Sequence, residues 1–211
     1  MVTVVHVMPD DLHGECFHLP LTLVRFPIEL VAPEGFRPDD LSTWPRLEGR
    51  LEYVNGRILY MPPCGDRQQE ACIDLATVLG AWVHSHPEFV AGGNEAGMKL
   101  GGDVRAADGA IWRRADLGPH TGGVRRVAPL LAVEVAGREE GEPQLRAKAR
   151  WYLDAGIATI WLILPQAREV VVVTAQGESR HGRGARLPEP TGLPDLTPEV
   201  ADFFVQIDRG G

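Results

Sequence analysis

The sequence has little positive charge, few cysteines and no long apolar run, and each shortage excludes a class of protein. Its 21 lysines and arginines face 29 aspartates and glutamates, which leaves a net charge of −8. Nucleic-acid-binding proteins usually carry a basic stripe that gains affinity from counterion release, so the net charge argues against such a partner. The three cysteines, Cys16, Cys64 and Cys72, show no close pairing, so they indicate neither a disulfide framework nor a zinc knuckle.

No apolar run approaches the ~20 residues of a membrane-spanning helix. Residues 1–9 also lack the basic start and the cleavable apolar segment of a secretory signal. We therefore expect a soluble, cytoplasmic protein with no membrane partner. With 211 residues and a hydrophobic content of 44%, the chain is long enough to bury one sizeable core, which favours a single domain.

Two acidic residues interrupt apolar segments that have the composition of buried strands. Glu134 is the charged residue of the segment 128–135, a run typical of a strand buried on both faces of a sheet. Asp108 lies in the middle of the segment 104–112, which follows a Gly101-Gly102-Asp103 turn signal and is predicted to be the second arm of a hairpin. An unpaired buried charge costs several kcal/mol or shifts its pKa, so a fold keeps such acids mainly for chemistry or for a metal.

A lysine then appears on the apolar face of the next predicted helix. A proline in the first turn and a glycine after the last turn predict a helix over residues 142–155. Lys148 lies within the stripe of apolar residues at helical spacing, which are Leu145, Ala149 and Tyr152. Residues 158–164 are another nearly uncharged run, so the order strand, helix, strand predicts a βαβ unit with parallel strands. In that unit Lys148 would lie near the strand of Glu134.

A hairpin signal, Asn55-Gly56, stands inside the segment 51–62, which reads Leu-Glu-Tyr-Val-Asn-Gly-Arg-Ile-Leu-Tyr-Met-Pro. This hairpin, the Asp108 arm, the Glu134 strand and the Lys148 helix together resemble the Uma-two (Uma2) family of restriction endonucleases, part of the PD-(D/E)XK nuclease superfamily. The resemblance runs from about residue 41 to the valine strand at residues 170–173, and a weaker similarity extends into the C-terminal tail. It implies an α/β (α+β), restriction-endonuclease-like fold, in which a central mixed sheet has helices on both faces.

The resemblance also implies roles for individual residues. Asp108 takes the place of the family's first acid, and Glu134 takes the place of the second. Lys148 and Tyr152 match a lysine and a tyrosine of the following helix, and Glu52 matches an acid of the opening hairpin. On sequence grounds alone, Glu52 fits a solvent-facing position equally well.

The sequence departs from the family pattern at several positions, including residues 136–140, where the family usually has a serine-containing turn. Ala107 replaces the proline before the first acid, and Gln68 stands where the family often has a histidine. Ala136 replaces the superfamily's lysine two residues after the second acid, for which the helix lysine is the family's usual substitute.

The chemistry that such a site implies is metal-dependent phosphodiester hydrolysis. Carboxylates of Asp108 and Glu134 and a backbone carbonyl at Val135 would suffice for Mg²⁺ (or Mn²⁺), which prefers oxygen ligands and keeps several waters. The cation would polarise a phosphate and lower the pKa of a bound water. Lys148 would hold the attacking water or offset charge on the phosphate. Basic residues that flank the site would permit a phosphate track; they are Arg113, Arg114, Arg125, Arg126, Arg146 and Arg150.

The predicted function is therefore a metal-dependent endonuclease that cleaves DNA, with the acidic net charge as the chief argument against a DNA partner. One alternative is a noncatalytic member of the same fold that serves as a binding or assembly module. Another is a metal-dependent hydrolase of a smaller phosphorylated ligand. Taken singly, either acid would also fit a strand edge, and Lys148 would also fit a side chain that extends to solvent along an apolar surface.

The remaining segments are assigned to an extension, a further helix and a tail. Residues 1–40 are predicted to be an N-terminal extension, separate from the nuclease domain at 41–211, and the apolar stretch Leu19–Val31 favours a homodimer. Residues 66–84 fit an amphipathic helix capped by Asp66. Residues 177–197 are predicted to be a loop, and residues 199–207 a short helix.

Overall fold

The computed structural model describes residues 26–47, 49–138 and 140–210. Most of the predicted extension, including the part of the apolar stretch before residue 26, lies outside these ranges. The described strands are β1 (Ile28–Leu30), β2 (Arg50–Val54), β3 (Arg57–Met61), β4 (Phe89–Leu100), β5 (Asp103–Arg113), β6 (Leu131–Val135), β7 (Thr159–Leu164), β8 (Glu169–Thr174) and β9 (Gly177–Gly182). The helices are α1 (Asp66–Ser85), α2 (Glu142–Asp154) and α3 (Val205–Arg209).

All nine described strands belong to one mixed sheet, in the order β1-β3-β2-β5-β6-β7-β8-β9, with β4 paired to β5. The sheet separates two apolar layers because successive strand residues point to opposite faces. Val133 and Val135 of β6 pack in the layer that contains α1 and the C-terminal segment. Ala132 packs in the layer that contains Leu145 and Ala149 of α2. Helices therefore cover both faces, which confirms the predicted fold class and places Glu134 on the α2 face.

The predicted βαβ unit is present as β6, α2 and β7. The two strands are parallel, with Leu131 paired to Thr159 and Val135 paired to Ile163. Helix α2 has a proline in its first turn, and Gly156 follows its end with φ +90°, a conformation that glycine adopts without strain.

The β4–β5 hairpin contains a bulge directly opposite Asp108. Gly93 pairs with Gly109 and Ala96 pairs with Ala107, so β4 has one residue more than β5 between these two pairs. Such a bulge bends the strand and redirects a side chain. Here Glu95 takes φ +65°, in the left-handed region that non-glycine residues seldom adopt.

Strand β5 changes partner along one of its edges. Strand β4 runs along the other edge for the whole length of the hairpin. On the edge opposite β4, β5 has two partners in turn. Strand β2 pairs with it at Tyr53 and Val104, and β6 pairs with it from Gly109 and Val133 onward. Between those pairs, no described strand pairs with residues 105–108 on this edge. We call this gap between β2 and β6 the fork, and Asp108 lies in it.

Several local predictions need correction. Asp66 is the first residue of α1 rather than its cap, because Gly65 occupies the cap position. The predicted loop begins with β9, an exposed strand that pairs with β8. Its residues are polar, so the sequence shows no apolar alternation there. The predicted C-terminal helix is divided into a 3-10 turn at Val200–Phe203 and α3, with Phe204 between them.

Two further findings concern the expectations from composition. No described helix is long and apolar enough to cross a membrane. Cys64 and Cys72 are both free thiols, and Cys16 lies outside the described residues.

Candidate active site

The carboxylate of Asp108 replaces a missing strand partner in the fork. Its Oδ2 accepts a hydrogen bond from the backbone N–H of Val135 at 2.8 Å, where β6 has separated from β5. Burial raises the pKa of Asp108 above its usual range, and the Val135 N–H offsets only part of that rise. The first predicted acid is therefore tied to the backbone of the residue that follows the second.

Glu134 is held by two side chains of α2. Lys148 Nζ donates to Glu134 Oε2 at 3.1 Å, and the Tyr152 hydroxyl donates to Glu134 Oε1 at 2.5 Å. Lys148 and Tyr152 are four residues apart, so they project from the same face of the helix toward β6. The Glu134 side chain is only 1% exposed, so this carboxylate depends on its protein partners.

Glu52 joins the same group from the other arm of the fork. Its Oε2 accepts from Arg105 Nη1 at 2.9 Å, and its Oε1 accepts from the Ala106 N–H at 3.4 Å. Lys148 Nζ lies 3.6 Å from the same Oε1. Glu52 is therefore buried rather than solvent-facing, and the structure brings all five predicted side chains together with the backbone of Val135.

Three residues in the group had no assigned role in the sequence: Arg50, Glu95 and Glu140. Glu140 Oε1 lies 3.0 Å from Lys148 Nζ, and Glu95 Oε1 lies 3.2 Å from Arg50 Nε. Two of these residues carried a signal in the sequence. Arg50 is two residues before Glu52, which places both on one face of β2. The Gly92-Gly93 pair before Glu95 is typical of a bulge in a strand. Glu140 lies in an irregular turn, where no periodicity points to it.

Burial controls the electrostatics of this group. Desolvation raises the pKa of Glu134, and the neighbouring charges of Asp108 and Glu140 raise it further. Desolvation likewise raises the pKa of Glu95 to about 7. For Lys148, burial alone lowers the pKa, but the carboxylates of Glu134, Glu52 and Glu140 outweigh burial and raise it. The surrounding carboxylates therefore favour the charged form of Lys148.

The residues of this group fit a hard divalent cation. The ion pairs between these side chains join five carboxylates to three cationic groups. The carboxylates are Glu52, Glu95, Asp108, Glu134 and Glu140, and the cationic groups are Arg50, Arg105 and Lys148. The acids outnumber the cations even when Arg138, on the adjacent cleft wall, is included.

The oxygen ligands for such a cation are limited in number. Gln68 Nε2 donates to the Val135 carbonyl at 3.1 Å, and a carbonyl oxygen has a second lone pair for another partner. Within the described ranges, no three His, Cys, Asp or Glu side chains form a ready metal cage. Mg²⁺ keeps several waters in protein sites, so it needs few oxygen ligands from the protein.

A cleft of about 300 Å³ opens beside this group, and its wall includes Arg50, Gln68 and Glu140. A larger cleft of about 570 Å³ lies between α1 and the C-terminal segment, and its wall includes none of the residues above. The smaller cleft borders the candidate site through Arg50 and Glu140.

Most of the flanking arginines have partners within the protein. Arg126 bonds to Asp39, and Arg146 bonds to Glu142. Arg114 donates to backbone carbonyls of residues 87 and 89, while Arg113 and Arg125 stack on aromatic rings. These contacts occupy some of the donors and faces that the arginines would present to a phosphate.

Comparisons with known proteins place the chain in a family. It is similar to a solved structure described as a "putative nuclease belonging to DUF820" from Anabaena variabilis ATCC 29413. The two share a TM-score of 0.69 at 19% identity, over 78% of this chain and 95% of that one, which shows a common fold. Among curated proteins, none matches this sequence. The family model described as "Putative restriction endonuclease" matches residues 38–203, so the chain belongs to the Uma2 family.

Proposed function

We propose that this protein is a Mg²⁺- or Mn²⁺-dependent endonuclease that hydrolyses phosphodiester bonds of DNA. The observation that supports it best is the buried convergence of Asp108, Glu134 and Lys148 beside an open cleft. Buried, incompletely compensated acids with shifted pKa values are typical of functional sites. Membership of the Uma2 family supports the nuclease class.

In this proposal Asp108, Glu134 and the Val135 carbonyl hold the cation. The chemistry that such a cation supplies when bound is polarisation of the phosphate and a lowered pKa of water. The carboxylates would also orient the site because each is fixed by a protein hydrogen bond.

Lys148 has an electrostatic role. The neighbouring carboxylates raise its pKa, which favours the charged ammonium. Its N–H groups would hold the attacking water or offset the negative charge that develops on the phosphate. Glu134 and Glu140 fix the ammonium at 3.1 Å and 3.0 Å, and such preorganisation is often the largest electrostatic contribution to catalysis.

The experiment that tests this proposal is a cleavage assay on supercoiled and linear DNA with Mg²⁺ or Mn²⁺. We expect nicking or cutting that stops with a chelator and is lost in D108N and E134Q. The matched control is R150A, which removes a charge from the exposed side of α2 and should cleave like the wild type. Cleavage that survives in both acid variants would show that the activity comes from a contaminant.

A noncatalytic binding or assembly module is the second candidate. The observation that favours it is that each predicted ligand already has a protein partner. Gln68 binds the Val135 carbonyl, the Val135 N–H binds Asp108, and Lys148 with Tyr152 binds Glu134. Calorimetric titration with Mn²⁺ separates the two candidates, because a module with a purely structural cluster would bind no cation at millimolar concentrations.

We also propose that the protein is a homodimer. Three large apolar side chains near the described start of the chain are exposed, namely Val31, Leu41 and Leu47. A partner subunit that covers them would remove this apolar surface from water.

A further inference from the structure

Arg50 occupies a central position at the mouth of the candidate site. Its three guanidinium nitrogens each face a different carboxylate: Nε is 3.2 Å from Glu95 Oε1, Nη1 is 3.6 Å from Asp108 Oδ1, and Nη2 is 4.0 Å from Glu140 Oε2. The Arg50 side chain is 17% exposed, whereas that of Lys148 is 6% exposed. Of the three cations that pair with the acids, Arg50 is the most exposed and lines the cleft.

Among the described residues, this guanidinium meets its carboxylate neighbours with poor hydrogen-bond geometry. Two of the three separations are too long for hydrogen bonds. The third is short, but Nε is buried and has no aligned hydrogen-bond partner among the described residues. A guanidinium carries five N–H donors in a rigid fork, so Arg50 is held by charge alone in a pose that satisfies few of them.

A phosphate would satisfy those donors better than the present arrangement does. Arginine binds phosphate through two parallel N–H···O bonds, which are stronger than neutral hydrogen bonds. Arg50 lines the 300 Å³ cleft together with Gln68 and Glu140, so a phosphate in the cleft would lie within its reach. A cation held by Asp108 would repel the guanidinium from its present position, since both are positive charges on the same carboxylate.

We propose that Arg50 is the phosphate-binding residue of the site, and that it exchanges places with the divalent cation. Without the cation, Arg50 supplies positive charge to Glu95, Asp108 and Glu140. With the cation on Asp108, Arg50 turns into the cleft and binds the scissile phosphate. This inference rests on the proposed nuclease function. It adds an order of events, in which the cation binds first and prepares Arg50 for DNA.

The test measures Mn²⁺ binding and DNA binding in separate experiments. In titration calorimetry without DNA, R50Q should bind Mn²⁺ at least about tenfold more tightly than the wild type, because its internal competitor is gone. With Ca²⁺ present, R50Q should bind a short DNA duplex at least about tenfold more weakly, because the charge-assisted bonds to phosphate are lost. The matched control is R168Q, whose arginine is 27% exposed and pairs with Asp208 at 2.8 Å outside the site.

The outcomes distinguish this inference from the proposed function. If wild-type protein binds no Mn²⁺ and cuts no DNA, both fail. If the wild type binds and cuts but R50Q behaves like R168Q, the inference alone fails. Tighter Mn²⁺ binding with unchanged DNA binding also overturns it, because Arg50 would then be a charge neighbour only.

A second measurement covers the case in which R50Q does not fold. R50K keeps the charge but lacks the planar fork, so its Mn²⁺ affinity should stay near the wild-type value while DNA binding falls as above. Wild-type crystals soaked with Mn²⁺ and inorganic phosphate should show the guanidinium on the phosphate. A guanidinium still facing Asp108 in the soaked crystals would overturn the exchange.

Discussion

Asp108 completes the backbone hydrogen bonding of Val135, because its Oδ2 accepts the Val135 N–H at 2.8 Å in the fork. The same carboxylate is proposed to hold a cation, so Asp108 has a structural role and a functional role that different substitutions separate.

Asparagine and alanine at position 108 should differ in stability but not in metal binding. Both remove the charge, and only asparagine keeps a carbonyl oxygen for the Val135 N–H. Because an unsatisfied buried donor costs about 1–3 kcal/mol, D108A should be less stable than D108N by that amount in urea unfolding. Calorimetry should show that neither variant binds Mn²⁺. Equal stability of the two variants would contradict the structural role.

Replacement of Lys148 should weaken both the fold and the activity. K148A leaves Glu52, Glu134 and Glu140 without their shared cation, and breaking a buried ion pair costs about 3–5 kcal/mol of unfolding free energy. The cleavage rate should fall at least about 100-fold, the effect of losing one preorganised electrostatic group.

Metal affinity in K148A should hold or rise, because a nearby positive charge is gone. Mn²⁺ should then restore more of the thermal stability in K148A than it adds to the wild type. R150A, on the exposed side of the same helix, should change stability by no more than about 0.5 kcal/mol. If K148A is as stable and as active as R150A, the assignment of Lys148 to the site is contradicted.

Glu95 should make the stability of the metal-free protein depend on pH. Its folded pKa is about 7, above the ordinary value of 4.5. The folded state therefore binds a proton more tightly, and this contribution is fully present below about pH 4.5 and is lost as pH rises to about 7. Urea unfolding in chelator from pH 4.5 to 8 should show that stability falls more steeply with rising pH in the wild type than in E95Q. Parallel curves would place Glu95 in solvent.

The proposed homodimer has a direct test in solution. Light scattering at tens of micromolar should give twice the chain mass of 23.1 kDa. The double variant L41S/L47S replaces two exposed apolar side chains, so its mass should shift toward that of one chain. The substitutions should not lower the unfolding midpoint of a single subunit, because both side chains are exposed in it. A wild-type mass of one chain would contradict the proposal.

The parts of the fold that were predictable from sequence depend on local pattern. Glu134 was recognisable because it interrupts an apolar run, and Lys148 and Tyr152 because helical spacing places them on one face. The βαβ unit followed from the order of these segments. The fork was not predictable, because it depends on where β2 and β6 leave β5, and no local pattern encodes that long-range register.

The residues that form the site were only partly predictable, because some reach it through long-range strand register. Glu95 reaches Arg50 from a bulge whose position depends on the β4–β5 register. Glu140 reaches Lys148 from an irregular turn. Arg50 carried a usable signal, its spacing of two from Glu52, but no rule of composition connects an arginine at the start of a hairpin with a distant aspartate.

The backbone bond of Asp108 has a consequence for how this protein can change in evolution. Here an oxygen acceptor must remain at position 108 to satisfy Val135, whether or not DNA is ever cut. A descendant that has become a pure binding protein would thus keep aspartate or asparagine there. An acid at this position in a relative is therefore weak proof of catalysis.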